Sequence, residues 1–207
     1  MPVPRTPPPS AAASGDLVLA ATPAESAQGG FINWLLALPG IAAFAVEPAP
    51  LRVHASPGLS RFLNPSDDAL ALARLVGCDG LDVETVRRAA VYCGPRHGET
   101  QRRLWALIPV EADSGDVLIV GIQVGLAEGG SPAAQEAAFQ AALQEPDRRH
   151  GINQPLTALS FLLENLLHAF QTSTPEAAYR DRKAGDLALQ VRHLRELLRT
   201  ADLADDK

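Results

Sequence analysis

Apolar residues with helical spacing run through the C-terminal part of the chain and constrain its fold more than any other feature. Their steps of four and three residues keep them on one side of a helix that turns about 100° per residue. The pattern occurs twice, before and after the polar segment Gln171–Thr174. The first stripe is Ile152, Leu156, Leu159, Leu163, Leu166 and Phe170, and the second is Leu187, Val191, Leu194 and Leu198. Two amphipathic helices joined by a short loop predict a helical hairpin over residues 149–207.

The hairpin needs a covering surface for its two stripes. Its second helix is expected from about residue 175 to 200, because Thr174-Pro175-Glu176 combines a capping residue, a first-turn proline and an early acidic residue. One pair of helices leaves most of each stripe exposed to water unless a further pair covers it. Two chains that pool their hairpins into a four-helix bundle solve this problem. We therefore expect a homodimer.

His150 lies at the start of the first helix but outside its stripe. It is roughly 160° around the helix from Ile152, so its ring should face solvent. The neutral imidazole of an exposed histidine is a usable nucleophile near neutral pH. Pro155 cannot donate a hydrogen bond to the carbonyl of residue 151 and crowds it, so a bend is expected just after His150. His168 shares this outward direction, and we interpret both it and His193 as solvated residues without a role.

A short motif begins at His150, where residues 150–156 read His-Gly-Ile-Asn-Gln-Pro-Leu. It resembles the phosphoacceptor box of sensor histidine kinases, in the subgroup that reads His-Glu-Ile-Asn-Gln-Pro-Leu, and six of the seven positions match. The resemblance implies that His150 is a candidate phosphoacceptor and that Gly151, Asn153, Gln154 and Pro155 support the motif. It also implies that the hairpin is the dimerisation and histidine-phosphotransfer region of such a protein.

One position of the motif departs from the family. Gly151 stands where these kinases carry an acidic residue that orients and deprotonates the histidine. Its loss affects autophosphorylation and dephosphorylation chemistry but leaves the dimerisation helix intact. Arg148 and Arg149 precede the histidine and have two interpretations. They attract an anionic phosphoryl group or an acidic partner, or they only make the surface more soluble.

Composition restricts the class of protein. The formal net charge of -6 argues against a nucleic-acid surface. Cys78 and Cys93 are the only cysteines, too few for a disulfide framework in 207 residues, so a reducing cytoplasm is expected. The longest apolar run, residues 31–46, is interrupted by Pro39-Gly40 and is shorter than the roughly 20 residues that cross a bilayer. Neither a signal peptide nor a membrane anchor is expected.

The N-terminal part divides into two regions of different composition. Residues 1–28 are rich in proline, alanine and serine and are interpreted as a flexible tail. Residues 29–128 alternate short apolar runs with turn residues, as small α+β domains do. Helices are expected at 31–38, 57–63, 67–76 (with Ser66 as N-cap) and 82–92, and strands at 41–46, 51–55, 99–110 and 116–126. The last two strands flank Ala112-Asp113-Ser114-Gly115 and should form a hairpin.

The order of these elements resembles a PAS sensory domain. Residues 40–46 followed by 53–59 look like the opening hairpin of that family and its first helix. The predicted fold class is therefore an α+β PAS-like domain followed by an α-helical hairpin that forms a dimeric four-helix bundle, with a generic α+β domain as the alternative. PAS domains often hold a ligand, but the flavin-binding members carry a reactive cysteine beside a segment that here reads Ser60-Arg61-Phe62-Leu63. No cofactor is assigned to this chain.

Other histidines and cysteines have ordinary interpretations. His54 and His97 are weak candidates for haem ligands and are interpreted as surface or strand histidines, and Cys78 is interpreted as a packing residue. Residues 129–148 are expected to form a helical connector that begins at Ser131-Pro132, with Pro146 breaking the helix before the histidine. In sensor kinases such a connector is a two-chain coiled coil, but this segment is too short and alanine-rich to prove one.

The sequence lacks the ATP-binding part of a kinase. It contains no Walker-type glycine-lysine loop and no Asp-x-Gly-x-Gly segment of a kinase domain. Mg²⁺ and ATP would then enter only through partner proteins. Three hypotheses follow: a phosphotransfer or pseudokinase protein that engages a response-regulator receiver domain or another histidine kinase, a non-catalytic interaction scaffold with a vestigial motif, or the front part of a full sensor kinase. The acidic C-terminal end slightly disfavours the third.

Overall fold

The computed structural model describes residues 26–63, 67–76, 82–83, 86–94, 102–127, 137, 139–141 and 143–202. Its α-helices are α1 (Ala27–Leu36), α2 (Asp68–Val76), α3 (Pro146–Thr172) and α4 (Ala177–Asp202). Its strands are β1 (Ala43–Pro48), β2 (Leu51–Ala55), β3 (Ala90–Gly94), β4 (Arg102–Glu111) and β5 (Val117–Ala127). A short 3-10 helix covers Ser60–Phe62, and the described residues between 137 and 144 are also helical.

The five strands form one antiparallel sheet in the order β2-β1-β5-β4-β3. Its centre is the β4–β5 hairpin, whose turn is closed by the Ala112 N–H donating to the Asp116 carbonyl at 2.8 Å. Gly115 in this turn has a φ of +84°, a conformation that residues with a side chain rarely adopt. The hairpin predicted around this turn is confirmed.

The inner strands alternate between two faces, and both faces are buried. In β4, Leu104, Ala106 and Ile108 belong to one hydrophobic cluster, whereas Trp105 and Leu107 belong to another on the opposite face. Helices α1, α3 and α4 cover the first face. Helix α2 and the residues beside the 3-10 helix cover the second. The sheet therefore lies between two helical layers.

The second face is built around two aromatic rings. The rings of Phe44 and Trp105 meet edge to face with centroids 5.0 Å apart, and both side chains are fully buried. Phe44 pairs with Gly121 across β1 and β5, and a Cβ atom at Gly121 would overlap the Phe44 ring. A glycine is required at this position because the ring occupies the space of a side chain.

The predicted fold class of a PAS-like domain followed by a separate hairpin in a dimeric four-helix bundle is wrong. The chain is an α+β protein, but its hairpin packs on the sheet of the same chain: α3 contacts β4 and α1, and α4 contacts β5. The two apolar stripes are buried in one cluster with the side chains of the first sheet face. The Phe31 and Phe170 rings lie 6.1 Å apart between α1 and α3, and Arg195 of α4 donates to the carbonyl of Gln123 in β5 at 3.1 Å.

Local predictions had mixed outcomes in residues 29–128. Strands β1, β2, β4 and β5 and helices α1 and α2 lie close to their predicted positions. The helix predicted over 82–92 is wrong at its end, because residues 90–94 form the edge strand β3, paired with β4. The helix predicted over 57–63 is reduced to turns and a 3-10 helix. At α2, the Asp67 carboxylate accepts from the Leu70 N–H at 3.0 Å, whereas Ser66 lies outside the described residues.

The predicted segment boundaries are tested only in part. Helix α1 begins at Ala27, inside the predicted tail, and the Ser26 hydroxyl caps it by accepting from the Gly29 N–H at 2.9 Å. Residues 1–25 and 128–136 lie outside the described residues. Within the described ranges, no helix combines the length and apolar character needed to span a membrane.

Candidate functional site

Helix α3 carries the whole histidine motif. It begins at Pro146, with Glu145 as its N-cap, and the Arg149 N–H donates to the Glu145 carbonyl at 2.9 Å. Residues 143–144 before this point are also helical, so Pro146 marks a change from one helical segment to the next, as predicted. His150 therefore lies in the second turn of α3 rather than at its end.

The position of His150 around α3 agrees with the sequence analysis. All six residues of the first stripe are buried, and Leu159, Leu163 and Leu166 are completely inaccessible to water. His150 is exposed on the opposite side of the helix. Its ring is therefore accessible from outside the molecule.

Gln154 contacts the His150 ring. The Nε2 atom of the Gln154 amide lies 3.3 Å from Nε2 of the imidazole, and both side chains are exposed. Residues four apart on a helix are neighbours on its surface, which explains the contact. An amide NH₂ group can only donate, so this contact is a hydrogen bond when the imidazole Nε2 carries no hydrogen and accepts. The motif thus places a hydrogen-bond donor directly at a ring nitrogen.

The other motif residues shape the helix around the histidine. Pro155 is buried, and α3 continues through it without interruption. Its missing N–H leaves the carbonyl of Gly151 without the usual helical donor. Gly151 faces α4, where a Cβ atom would lie 3.8 Å from Leu197. This is an ordinary van der Waals distance, so a Cβ atom fits at position 151 and the backbone there does not require a glycine. Asn153 is exposed, and its carbonyl accepts from the Thr157 hydroxyl at 2.9 Å.

The two arginines before His150 differ in their surroundings. The guanidinium Nε of Arg148 lies 3.0 Å from the Glu145 carboxylate, so this side chain is engaged with the start of its own helix. Arg149 is exposed. An ion pair that water reaches contributes little to stability, so it does not prevent Arg148 from meeting an anion. Both interpretations of the arginines stay open.

The remaining histidines of the sequence analysis lie apart from the motif. His54 Nε2 lies 2.8 Å from the Glu47 carboxylate on neighbouring strands, as expected for a strand histidine. His168 is exposed on α3, as expected, and its Nδ1 lies 3.1 Å from the equally exposed Asp113 carboxylate in the β4–β5 turn. His193 is exposed on α4. His97, Cys78 and the side chain of Cys93 lie outside what the structure describes.

A groove at the end of the sheet that carries the β1–β2 and β4–β5 turns contains none of the predicted site residues. Its volume is about 760 Å³, and its lining includes Glu47, Glu111, Asp116, Glu164 and Arg87. These residues come from separate elements, so no spacing in the sequence links them. The groove does not include His150. In the described part of the chain, no three His, Cys, Asp or Glu side chains are grouped so that they could hold a metal ion.

No family model, curated protein or solved structure matches this chain. The resemblance to sensor histidine kinases therefore rests on the motif of residues 150–156 alone.

Proposed function

We propose that the chain is a histidine phosphotransfer or pseudokinase module of a two-component signalling system, with His150 as the phosphoacceptor. A partner histidine kinase supplies ATP and Mg²⁺, and a response-regulator receiver domain takes the phosphoryl group onto an aspartate. The observation that carries this proposal is the exposed His150 ring, which faces outward from a long helix whose opposite side is buried, and which contacts Gln154 of the same motif. Such a protein would act in the cytoplasm.

The surroundings of His150 suit a phosphoacceptor. An exposed ring on a rigid helix can be approached by a second protein without any opening of the core. Arg149 is exposed beside it and offers a positive charge to an anionic phosphoryl group. The apolar side of α3 is fixed by its packing on the sheet, so the ring is held on a supported element.

A non-catalytic interaction scaffold is the second candidate function. Gly151 favours it, because this position carries no carboxylate to orient or deprotonate the histidine. A Cβ atom at position 151 has room, so packing does not explain the glycine. In the scaffold, partners would bind the same surface of α3 without phosphoryl transfer.

Labelling experiments separate these two functions. The full chain is incubated with a competent histidine kinase and labelled ATP, and the wild type is compared with His150→Asn. His193→Asn is a matched control, because His193 is also exposed but lies on α4. We expect an acid-labile label that requires His150 and not His193, and its transfer to a receiver domain. The phosphotransfer proposal is refuted if kinases that bind the chain leave no label dependent on His150, and retained binding would then favour the scaffold.

The homodimer stays a prediction, but it is no longer supported by the expected exposure of the two apolar stripes. The stripes that were expected to need a second chain are buried in one chain. Mass measurement by light scattering at several protein concentrations tests the prediction directly.

A further inference from the structure

We infer that Gln154 is a positioning residue that holds the neutral His150 ring in the tautomer with hydrogen on Nδ1 and a lone pair on Nε2. This inference deepens the proposed function and rests on it for its consequence, but the tautomer itself is measurable without any phosphoryl transfer. The starting observation is the 3.3 Å contact between the Gln154 amide nitrogen and Nε2 of the ring.

The donor and acceptor roles in this contact follow from the chemistry of the two groups. An amide NH₂ has hydrogens to donate and no lone pair to offer, so the ring nitrogen facing it must be unprotonated. A neutral imidazole carries one hydrogen, which then resides on Nδ1. Free histidine in water favours the opposite tautomer, with hydrogen on Nε2. The contact with Gln154 therefore selects a form that an isolated exposed ring would adopt less often.

Gln154 is placed to orient the His150 ring, whereas the neighbouring residue 151 is not. Gly151, the residue that follows His150, has no side chain that could contact the ring. A Cβ atom at position 151 would point toward Leu197 of α4. Gln154 is one helical turn further along and reaches the ring from the same exposed surface. The orienting contact comes from this turn of the helix in place of position 151.

The selected tautomer leaves Nε2 as the nucleophile of a phosphoryl transfer. Nε2 donates its electron pair to the γ-phosphorus of ATP held by the partner kinase, and the bond from that phosphorus to the bridging oxygen breaks, so ADP leaves. The Nδ1 hydrogen then leaves to solvent as a proton, and the ring is neutral again. The Gln154 amide must move off Nε2 as the new bond forms, and its hydrogens are then available to a phosphoryl oxygen.

The tautomer can be read by nuclear magnetic resonance on the full chain labelled with ¹⁵N-histidine, at a pH where the rings are neutral. The two ring nitrogens have distinct chemical shifts when protonated and unprotonated, and His150→Asn assigns the His150 signals. The test variants are Gln154→Ala, which removes the donor, and Gln154→Glu, whose carboxylate can only accept. Thr157→Ala is the matched control, because Thr157 is exposed nearby but donates to the Asn153 carbonyl.

We expect the wild type and Thr157→Ala to hold hydrogen on Nδ1. Gln154→Ala should change the tautomer ratio about 2- to 10-fold toward hydrogen on Nε2, as loss of one hydrogen bond predicts, and Gln154→Glu should reverse the preference. A wild type with hydrogen mainly on Nε2, or a ratio that Gln154→Ala leaves unchanged, would overturn the inference.

Labelling of the same variants separates this inference from the proposed function. Label at His150 in the wild type with an unchanged rate in Gln154→Glu would retain phosphotransfer and overturn the positioning role. A tautomer that depends on Gln154 in a chain that no kinase labels would support the contact and refute the proposed function.

Discussion

Shortening Leu159 to alanine tests whether the helical hairpin and the sheet form one cooperative unit. Leu159 is completely buried on α3, in the cluster that also contains the first face of the sheet. Replacing a buried leucine by alanine removes its transfer free energy and leaves a cavity, which together cost about 2–5 kcal/mol. With a urea dependence of roughly 3 kcal/mol/M for a chain of this size, the unfolding midpoint should fall by about 0.7–1.7 M.

Fluorescence of Trp105 reports this change from the opposite side of the sheet. The chain has two tryptophans, and Trp34 on α1 lies beside Phe170, with ring centroids 6.1 Å apart. A Trp34→Phe background leaves Trp105 as the fluorophore, and Trp105 belongs to the cluster that the hairpin does not touch. If the sheet and hairpin unfold together, Leu159→Ala lowers the Trp105 midpoint as much as the midpoint of helix unfolding measured by circular dichroism.

Leu189→Ala is the matched control for this experiment. Leu189 lies on the same hairpin but is 53% exposed, so its loss should change the free energy of unfolding by no more than about 0.5 kcal/mol. A Trp105 transition that Leu159→Ala leaves in place while the helical signal is lost earlier would refute the single unit. The hairpin would then be an independent domain.

Three further changes test the packing of the sheet and helices. Gly121→Ala should lower the free energy of unfolding by about 1–3 kcal/mol or more, because the new methyl group meets the Phe44 ring. In urea denaturation, the double variant Gly121→Ala/Phe44→Leu should lose less free energy of unfolding than the sum of the two single variants, because the smaller side chain makes room for the methyl group. Simple additivity would contradict this. Ser56→Ala should lower the free energy of unfolding by about 1–3 kcal/mol in the same assay, because the buried Ser56 hydroxyl accepts from the Ala43 N–H at 3.2 Å. An unchanged urea midpoint would show that this hydrogen bond adds no stability. Gly185→Ala should raise the free energy of unfolding by about 0.5–1 kcal/mol, since this exposed position inside α4 has open space around it, and a lower thermal midpoint would contradict that expectation.

The local elements could be predicted where the pattern of the residues is itself local. The stripes of α3 and α4 and the alternation in β4 and β5 follow from spacing within one segment, and they are found where expected. Strand β3 could not be predicted this way. Its stability comes from pairing with β4, where Val91 faces Ala106 and Tyr92 faces Trp105. Such pairing partners are distant in the sequence and override helix-favouring residues before the strand.

The main wrong prediction concerned the surface that covers the hairpin, although the sequence contains a pattern that indicates the correct surface. Residues 104–108 and 117–124 are apolar almost without interruption, so both faces of these strands need cover. A strand with one face exposed to solvent alternates apolar and polar residues instead. One face is covered by α2 and its neighbours, which leaves the other for the two longest of the helices that the structure describes. The count of apolar faces therefore favours packing of the hairpin on the sheet over packing against a second hairpin.

The candidate site was predictable because it depends on helical phase and not on the covering partner. His150 is exposed whichever surface buries the stripe on the other side of α3.

The predicted homodimer, in contrast, depends on which surface covers the stripes. A four-helix bundle formed through the stripes would require the hairpin to leave the sheet, which would expose the face that contains Ile108 and Val120. Packing on the sheet and pairing through the stripes are mutually exclusive for one hairpin. A dimer in solution must therefore use the outer surface, or exchange hairpins between chains so that each covers the sheet of its partner. Exchange would make the Trp105 unfolding midpoint depend on protein concentration, and a monomer would not.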